Sequence, residues 1–473
     1  AALLAVAMLC AMAVPAFADN GTYTITAPAT NHQYEIYQIF TGDYSEKANS
    51  KVLSNIKWGS NGTGTVGEAV SEDILSALSA VSSSASDAAK LAVVETYAKL
   101  DTAPVTTITN GATYQAVPGY YLIKDKDKSV PSGDVYTTYI VQVVGNVTIT
   151  PKTNDTPSFN KKLKDTNDTT GVTSEWQDSA DYDIGDKVPF RLQGTVPADY
   201  ASYKNYYYAF HDVEEKGLTF DSNSVEVFVD DQKITTGYTV KTSTSDKCTF
   251  EIVFDDLKQI PSVAAGSTIT VTYQSELNSN AVLGSQGNVN QALLEYSNNP
   301  NGAGTGKTPW DNVIVFTYQV VVNKHANAVD GELLSGAEFT LEKILQNNTK
   351  ETVAVVKSED GATFTFKGLD DGDYILTETK TPEGYNSIAP IKFTVTAEHT
   401  IIWETEARNT ILTSLTGTVA TGKITFTAAE NKDTLTTNVV NKAGTTLPST
   451  GGIGTTLFYV VGGGLMVAAI VLL

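Results

Sequence analysis

Short runs in which apolar and polar residues alternate recur along most of this chain. Residues 23–26 and 34–40 show the pattern first, and 120–124 and 136–149 resume it. Successive side chains of a strand point to opposite faces, so period-two alternation predicts half-buried strands. Residues 71–100 differ. They are rich in Ala, Leu and Ser, and Ile74, Leu75, Leu78 and Val81 recur at helical spacing. These elements predict a mixed α+β first domain over 19–154, closed by a polar, Pro-bearing linker at 152–157.

From 158 onward the chain reads as strand and turn only. Residues 187–192, 224–229, 249–254 and 268–273 are strand-like, separated by turn signals at Asp230-Asp231, Ala265-Gly266 and Asn298-Asn299-Pro300. That is the sequence form of a β-sandwich, placed at 155–316. A third unit, 317–446, alternates at Val320, Val322 and Lys324, at Thr363, Thr365 and Lys367, and at Tyr374, Leu376 and Glu378. The expected fold class is therefore mainly β, with tandem immunoglobulin-like sandwiches behind an α+β N-terminal domain.

Both ends break the alternation. Residues 1–14 are apolar and lead into Pro15-Ala16-Phe17-Ala18, so the small residues at 16 and 18 predict signal cleavage between Ala18 and Asp19. Residues 457–473 carry no charge, at the short end of what spans a bilayer. An export signal ordinarily opens with basic residues, and a C-terminal stop ordinarily closes with them. Their absence reads as a sequence clipped at both ends.

Composition narrows the function. A net charge of −21 argues against nucleic acid as a partner. Of two cysteines, Cys10 lies in the leader and Cys248 stands alone, so no internal disulfide is available. Four histidines without metal spacing predict no metal and no cofactor. There is no Ser-His-Asp arrangement and no phosphate loop, which argues against an enzyme.

The sharpest motifs sit in the third unit and at the C-terminus. Tyr374, Leu376, Glu378 and Thr379, followed by Pro382, Gly384 and Tyr385, resemble the YxLxETxxPxGY "E-box" of Gram-positive pilins and collagen-adhesin B-type domains. That resemblance implies a buried Glu beside a Lys on the first strand and an Asn on the last, which join as an isopeptide. Lys324 and Asn441 occupy those positions. Burial disfavours an ammonium and leaves a free amine that attacks a carbonyl, while a buried carboxylic acid favours its neutral form and can polarise the Asn amide. The plain alternative is an exposed Lys–Glu pair, but alternation puts Leu376 and Glu378 on one face.

The second unit offers a looser set. Phe159, Lys161 and Leu163 share a face. Asn290, Ala292, Leu294, Tyr296, Ser297, Asn298 and Pro300 resemble the penultimate NxAxLxYSNxP segment of shaft-pilin middle domains. Residues 210–213 and 217–220 resemble the strand that carries the acid of collagen-adhesin A-type domains. The implied cross-link is Lys161 to Asn290 with Asp212 as acid. Lys162 is the register alternative, because a one-residue slip flips the face. Asp183 and Asp186 are rival acids, and an ordinary sandwich with solvated lysines is the plain reading.

Leu447, Pro448, Ser449, Thr450 and Gly451 fit the LPxTG pentapeptide read by sortases, set immediately before the apolar tail. An ordinary tail anchor behind a loop is the alternative. Val147, Ile149, Pro151 and Lys152 match the pilin motif WxxxVxVYPK, with Thr150 where Tyr is usual and no Trp. Together these features resemble a class C sortase-assembled backbone pilin. The resemblance implies sortase joining of Thr450 in one subunit to Lys152 in the next. Implied partners are a pilin-specific class C sortase, other copies of the chain, accessory pilins, and a housekeeping sortase with peptidoglycan. The precursor would be held transiently by the membrane, and the product would sit in the wall and in a surface pilus supporting adhesion. A monomeric wall-anchored adhesin binding host matrix or glycan is the second reading. Residues 1–18 and 447–473 would then be processing segments.

Overall fold

The computed structural model describes residues 21–47, 50–81, 87–131, 134–150, 156–244, 246–300, 302–404 and 406–444, with 460–462 and 465 near the C-terminus. Ala18, Asp19, Lys152 and the pentapeptide Leu447, Pro448, Ser449, Thr450 and Gly451 lie outside the described residues. No helix among the described residues is long and apolar enough to cross a membrane. Most of 457–473 also lies outside them, so the spanning segment expected there has no described helix to support it.

The first domain pairs two sheets with two short helices. Tyr23–Thr26 runs antiparallel to Thr113–Ala116 and parallel to Val147–Thr148, which ties the strand before the linker to the start of the domain. A second sheet has the order Ser50–Trp58, Gln33–Lys47, Gly119–Asp125, Thr138–Val143. The single helical stretch expected over 71–100 is two helices, Glu72–Ser79 and Asp87–Glu95. Leu78 is buried, and Ile74 and Leu75 pack beside it against a core that includes Phe40 and Trp58.

The middle domain is a sandwich. One sheet holds Ser179–Asp181, Asp311–Phe316, Asn288–Ser297, Tyr208–Glu214, Phe250–Phe254 and Thr239–Lys241 in that order. The facing sheet runs Gln232–Ile234, Leu218–Val229, Thr268–Leu277, Lys187–Thr195, Phe159–Leu163. Alternation works as the sequence pattern predicts: along Lys187–Thr195, buried Val188, Phe190 and Leu192 take every second place.

The C-terminal domain is a second sandwich of two five-stranded sheets. One holds Val355–Lys357, Thr363–Leu369, Tyr318–Ala326, Thr434–Asn441 and Phe426–Ala428. The other holds Lys350–Val353, Glu338–Ile344, Gly372–Lys380, Ile391–His399 and Leu412–Thr421. Its first strand lies parallel beside its last, from Gln319 opposite Thr434 to Ala326 opposite Asn441. A parallel neighbour cannot come from a tight turn, so this pairing closes the whole domain on itself.

The two sandwiches share a boundary strand. In Asp311–Phe316, Val313 and Val315 enter the middle core, whereas Ile314 and Phe316 enter the C-terminal core. The junction is also polar. Lys343 bonds Asp168 and Asp183 at 2.8 Å each and also bonds Asp370. Burial alone would discharge Lys343, but Asp370 and Asp183 hold its pKa above the ordinary lysine value. Arg408 forks onto Glu215 with two contacts of 2.7 Å.

Candidate functional site: two buried lysine–carboxyl–asparagine triads

In the C-terminal domain, alternation delivers the site. The first strand buries Tyr318, Val320, Val322 and Lys324 in turn, and the last buries Leu435, Thr437, Val439 and Asn441. Lys324 and Asn441 are both wholly buried, and the Glu378 side chain reaches them from the opposite sheet with no exposed surface. Lys324 Nζ donates to Asn441 Oδ1 and lies 3.2 Å from Glu378 Oε1. Asn441 Nδ2 donates to Glu378 Oε1 at 2.8 Å and Oε2 at 3.1 Å. One carboxyl thus touches both the amine and the amide nitrogen. Burial pulls the Lys324 pKa down, against the opposing pull of Glu378. The Phe339 ring lies 5.6 Å from Nζ and makes that side of the pocket apolar.

The middle domain assembles the same residue types differently. Lys161 lies on the edge strand Phe159–Leu163 of one sheet, whereas Asp212 and Asn290 come from the facing sheet. All three are wholly buried. Lys161 Nζ is 2.5 Å from Asp212 Oδ2 and 2.7 Å from Tyr273 Oη. The Tyr273 hydroxyl donates to Asp212 Oδ2 at 2.8 Å and accepts from Asn290 Nδ2 at 3.0 Å. Burial lowers the Lys161 pKa against the pull of Asp212, and burial raises that of Asp212 against the pull of Lys161. Both shifts favour the neutral pair, which is the form a nucleophilic amine requires.

The rival residues fall elsewhere. Lys162 points to the other face, where Nζ pairs with Asp178. Asp183 belongs to the Lys343 junction, and Asp186 accepts from the Asp183 backbone N–H at 3.1 Å. Two residues of the middle site were not singled out from sequence. Glu214 accepts from Asn290 Nδ2 at 3.3 Å and from the Ser275 hydroxyl. Tyr273 bridges the lysine to the asparagine. Period two from Asp212 would have flagged Glu214; Tyr273 carries no comparable local signal.

Two family models match these sandwiches. Residues 319–410 match the SpaA prealbumin-like fold domain, and residues 184–300 match the Cna-B-like domain of Gram-positive pilin backbone subunit 2. The chain's middle and C-terminal sandwiches thus match pilin-type domains over those residues. The middle pilin domain is described as Cna-B-like, whereas its motifs resemble the A type. A curated relative, the trypsin-resistant surface T6 protein of Streptococcus pyogenes serotype M6, is 24% identical over 302 residues. That match covers 59% of this chain and spans half the length of the relative. Among solved structures, the three-domain T6 backbone pilin of the same serotype aligns over 91% of this chain and 100% of its own, at 18% identity and a TM-score of 0.53. The major pilin SpaD of Corynebacterium diphtheriae aligns over 90% and 98%, at 18% identity and a TM-score of 0.50. These likenesses carry the fold: pilin-type sandwiches in series.

Proposed function

We propose that this chain is the shaft subunit of a covalent cell-surface pilus, exported, polymerised by a pilin-specific class C sortase and finally attached to peptidoglycan. In this reading the sortase cleaves between Thr450 and Gly451 and holds the Thr450 carbonyl as a thioester. Lys152 Nζ of another subunit attacks that carbonyl, an amide forms and the enzyme thiol leaves. Lys324 with Asn441, and Lys161 with Asn290, condense within the subunit under Glu378 and Asp212, each releasing ammonia. The protein is then a sortase substrate and not itself an enzyme toward other molecules.

One observation carries the reading: two consecutive pilin domains each bury a lysine, a carboxyl and an asparagine in one contact network. A buried ammonium with no purpose is costly, and ordinary sandwiches avoid it. Intact mass tests the internal bonds, since each removes one ammonia, about 17 Da from the condensation chemistry. An unshifted mass for residues 19–450 would refute both. Lys152→Ala in the native host tests polymerisation. Wall extracts boiled in SDS should lose their high-mass ladder, and a surviving ladder would exclude Lys152 as the linking residue.

A further inference from the structure

We propose that Glu214 is a second acid of the middle domain, protonating the departing amide nitrogen of Asn290 while Asp212 takes the ammonium proton of Lys161. This rests on the reading of Lys161 and Asn290 as a cross-linking pair.

Strand register sets the two carboxyls against different partners. On Tyr208–Glu214, Asp212 lies opposite Ala292 and Glu214 lies opposite Asn290 itself. The carboxyl facing the amide is therefore that of Glu214. Its Oε1 accepts from Asn290 Nδ2 at 3.3 Å, whereas Asp212 Oδ2 is occupied by Lys161 Nζ and Tyr273 Oη. In the C-terminal domain Glu378 makes both contacts with one carboxyl. In the middle domain the two contacts are divided between two carboxyls.

The unpartnered atoms point the same way. Asp212 Oδ1, Glu214 Oε2 and Asn290 Oδ1 are all buried without a hydrogen-bond partner. Three open acceptors therefore lie within this one network. Burial, and then the nearby Asp212, push the Glu214 carboxyl up to about 8, so it carries a proton at neutral pH.

The step balances. Lys161 gives its ammonium proton to Asp212, and the free amine Nζ adds to Asn290 Cγ. The Cγ–Nδ2 bond then breaks as the Glu214 proton joins Nδ2 to release ammonia. The proton that Nζ gives up returns to Glu214, leaving a secondary amide with both carboxyls protonated. Tyr273 Oη, 2.7 Å from Nζ and 3.0 Å from Nδ2, lies between the two ends of this transfer.

The test is Glu214→Gln in the full chain, with peptide mapping of both lysine–asparagine pairs after a pulse of expression. The Lys161–Asn290 peptide should be unlinked or linked at least tenfold more slowly, while the Lys324–Asn441 peptide forms normally and reports a folded chain. Ser275→Ala, which frees Glu214 Oε1 of its hydroxyl partner, should slow middle-domain linkage less than Glu214→Gln. Wild-type linkage with unchanged rates in both variants would overturn the role of Glu214 and leave the cross-link standing. A wild-type middle domain without linkage would overturn the cross-link, and this role with it.

Discussion

The two triads use the same residue types but would staple different things. Lys324 and Asn441 sit on neighbouring parallel strands of one sheet, with Glu378 reaching over from the other. Lys161 and Asn290 face each other from opposite sheets, with Tyr273 between them. A bond of the first kind stops adjacent strands from shearing apart. A bond of the second kind stops the two layers from separating. The first also needs only one carboxyl, because neighbouring strands bring amine and amide within reach of a single side chain. Across the sandwich the distance is longer, and an aromatic hydroxyl and a second acid fill it.

The largest expected effect comes from removing the one acid of the simpler site. Glu378→Gln should leave Lys324 and Asn441 unlinked, with the middle domain unaffected. The loop between them spans 117 positions. Closing a loop of that length stabilises by about 5 kcal/mol if the link acts chiefly on the unfolded chain. The C-terminal melting transition should therefore fall by roughly 15–20 °C. Calorimetry with peptide mapping measures both. A C-terminal link that persists in Glu378→Gln would break the contrast between a one-acid and a two-acid site.

A pH titration gives a smaller but more specific effect, confined to the middle domain. The folded state keeps the Glu214 proton to about pH 8, whereas an unfolded glutamate releases it near 4.5. Between those values the folded state binds more protons, so stability falls as pH rises from about 5 to about 8. An unlinked domain made by Asn290→Ala should show this loss, and adding Glu214→Gln should remove it. Lys161 and Asp212 titrate in both proteins, so the difference reads Glu214 together with its coupling to them. The difference should be on the order of 3 kcal/mol between pH 5 and pH 8. Denaturant unfolding at several pH values reads it, and parallel curves would remove Glu214 from the middle site.

The same contrast explains what could be read from sequence. The Lys324, Glu378 and Asn441 set was legible because a long motif fixed one strand and alternation fixed the face of all three. Lys161 was separable from Lys162 by its sharing a face with Phe159 and Leu163. Period two from Asp212 puts Glu214 on the same face, but its role depends on its register opposite Asn290, a pairing 76 positions away that alternation does not encode. Asp183 looked like a rival acid until the neighbouring domain supplied Lys343, and no pattern within one domain could have shown that. The helical stretch over 71–100 was legible as helix, but its division was not, since the apolar spacing of Ile74, Leu75 and Leu78 says nothing of where a helix ends.

The smallest effect belongs to Lys162, and it tests the face assignment on which the middle triad depends. Its side chain is 27% exposed and pairs with Asp178, whose own side chain is 4% exposed. Asp178 Oδ2 also accepts the Trp403 backbone N–H at 2.8 Å, so losing the lysine does not strand the carboxylate. Lys162→Ala should cost about 1 kcal/mol or less, the range of partly exposed ion pairs. Its Lys161–Asn290 peptide should remain linked. Lys161→Ala should abolish that peptide and leave the buried Asp212 carboxyl without its partner, a far greater loss. If Lys162→Ala were the variant that lost the linked peptide, the strand would be in the other register. The inter-sheet staple would then give way to an ordinary edge strand.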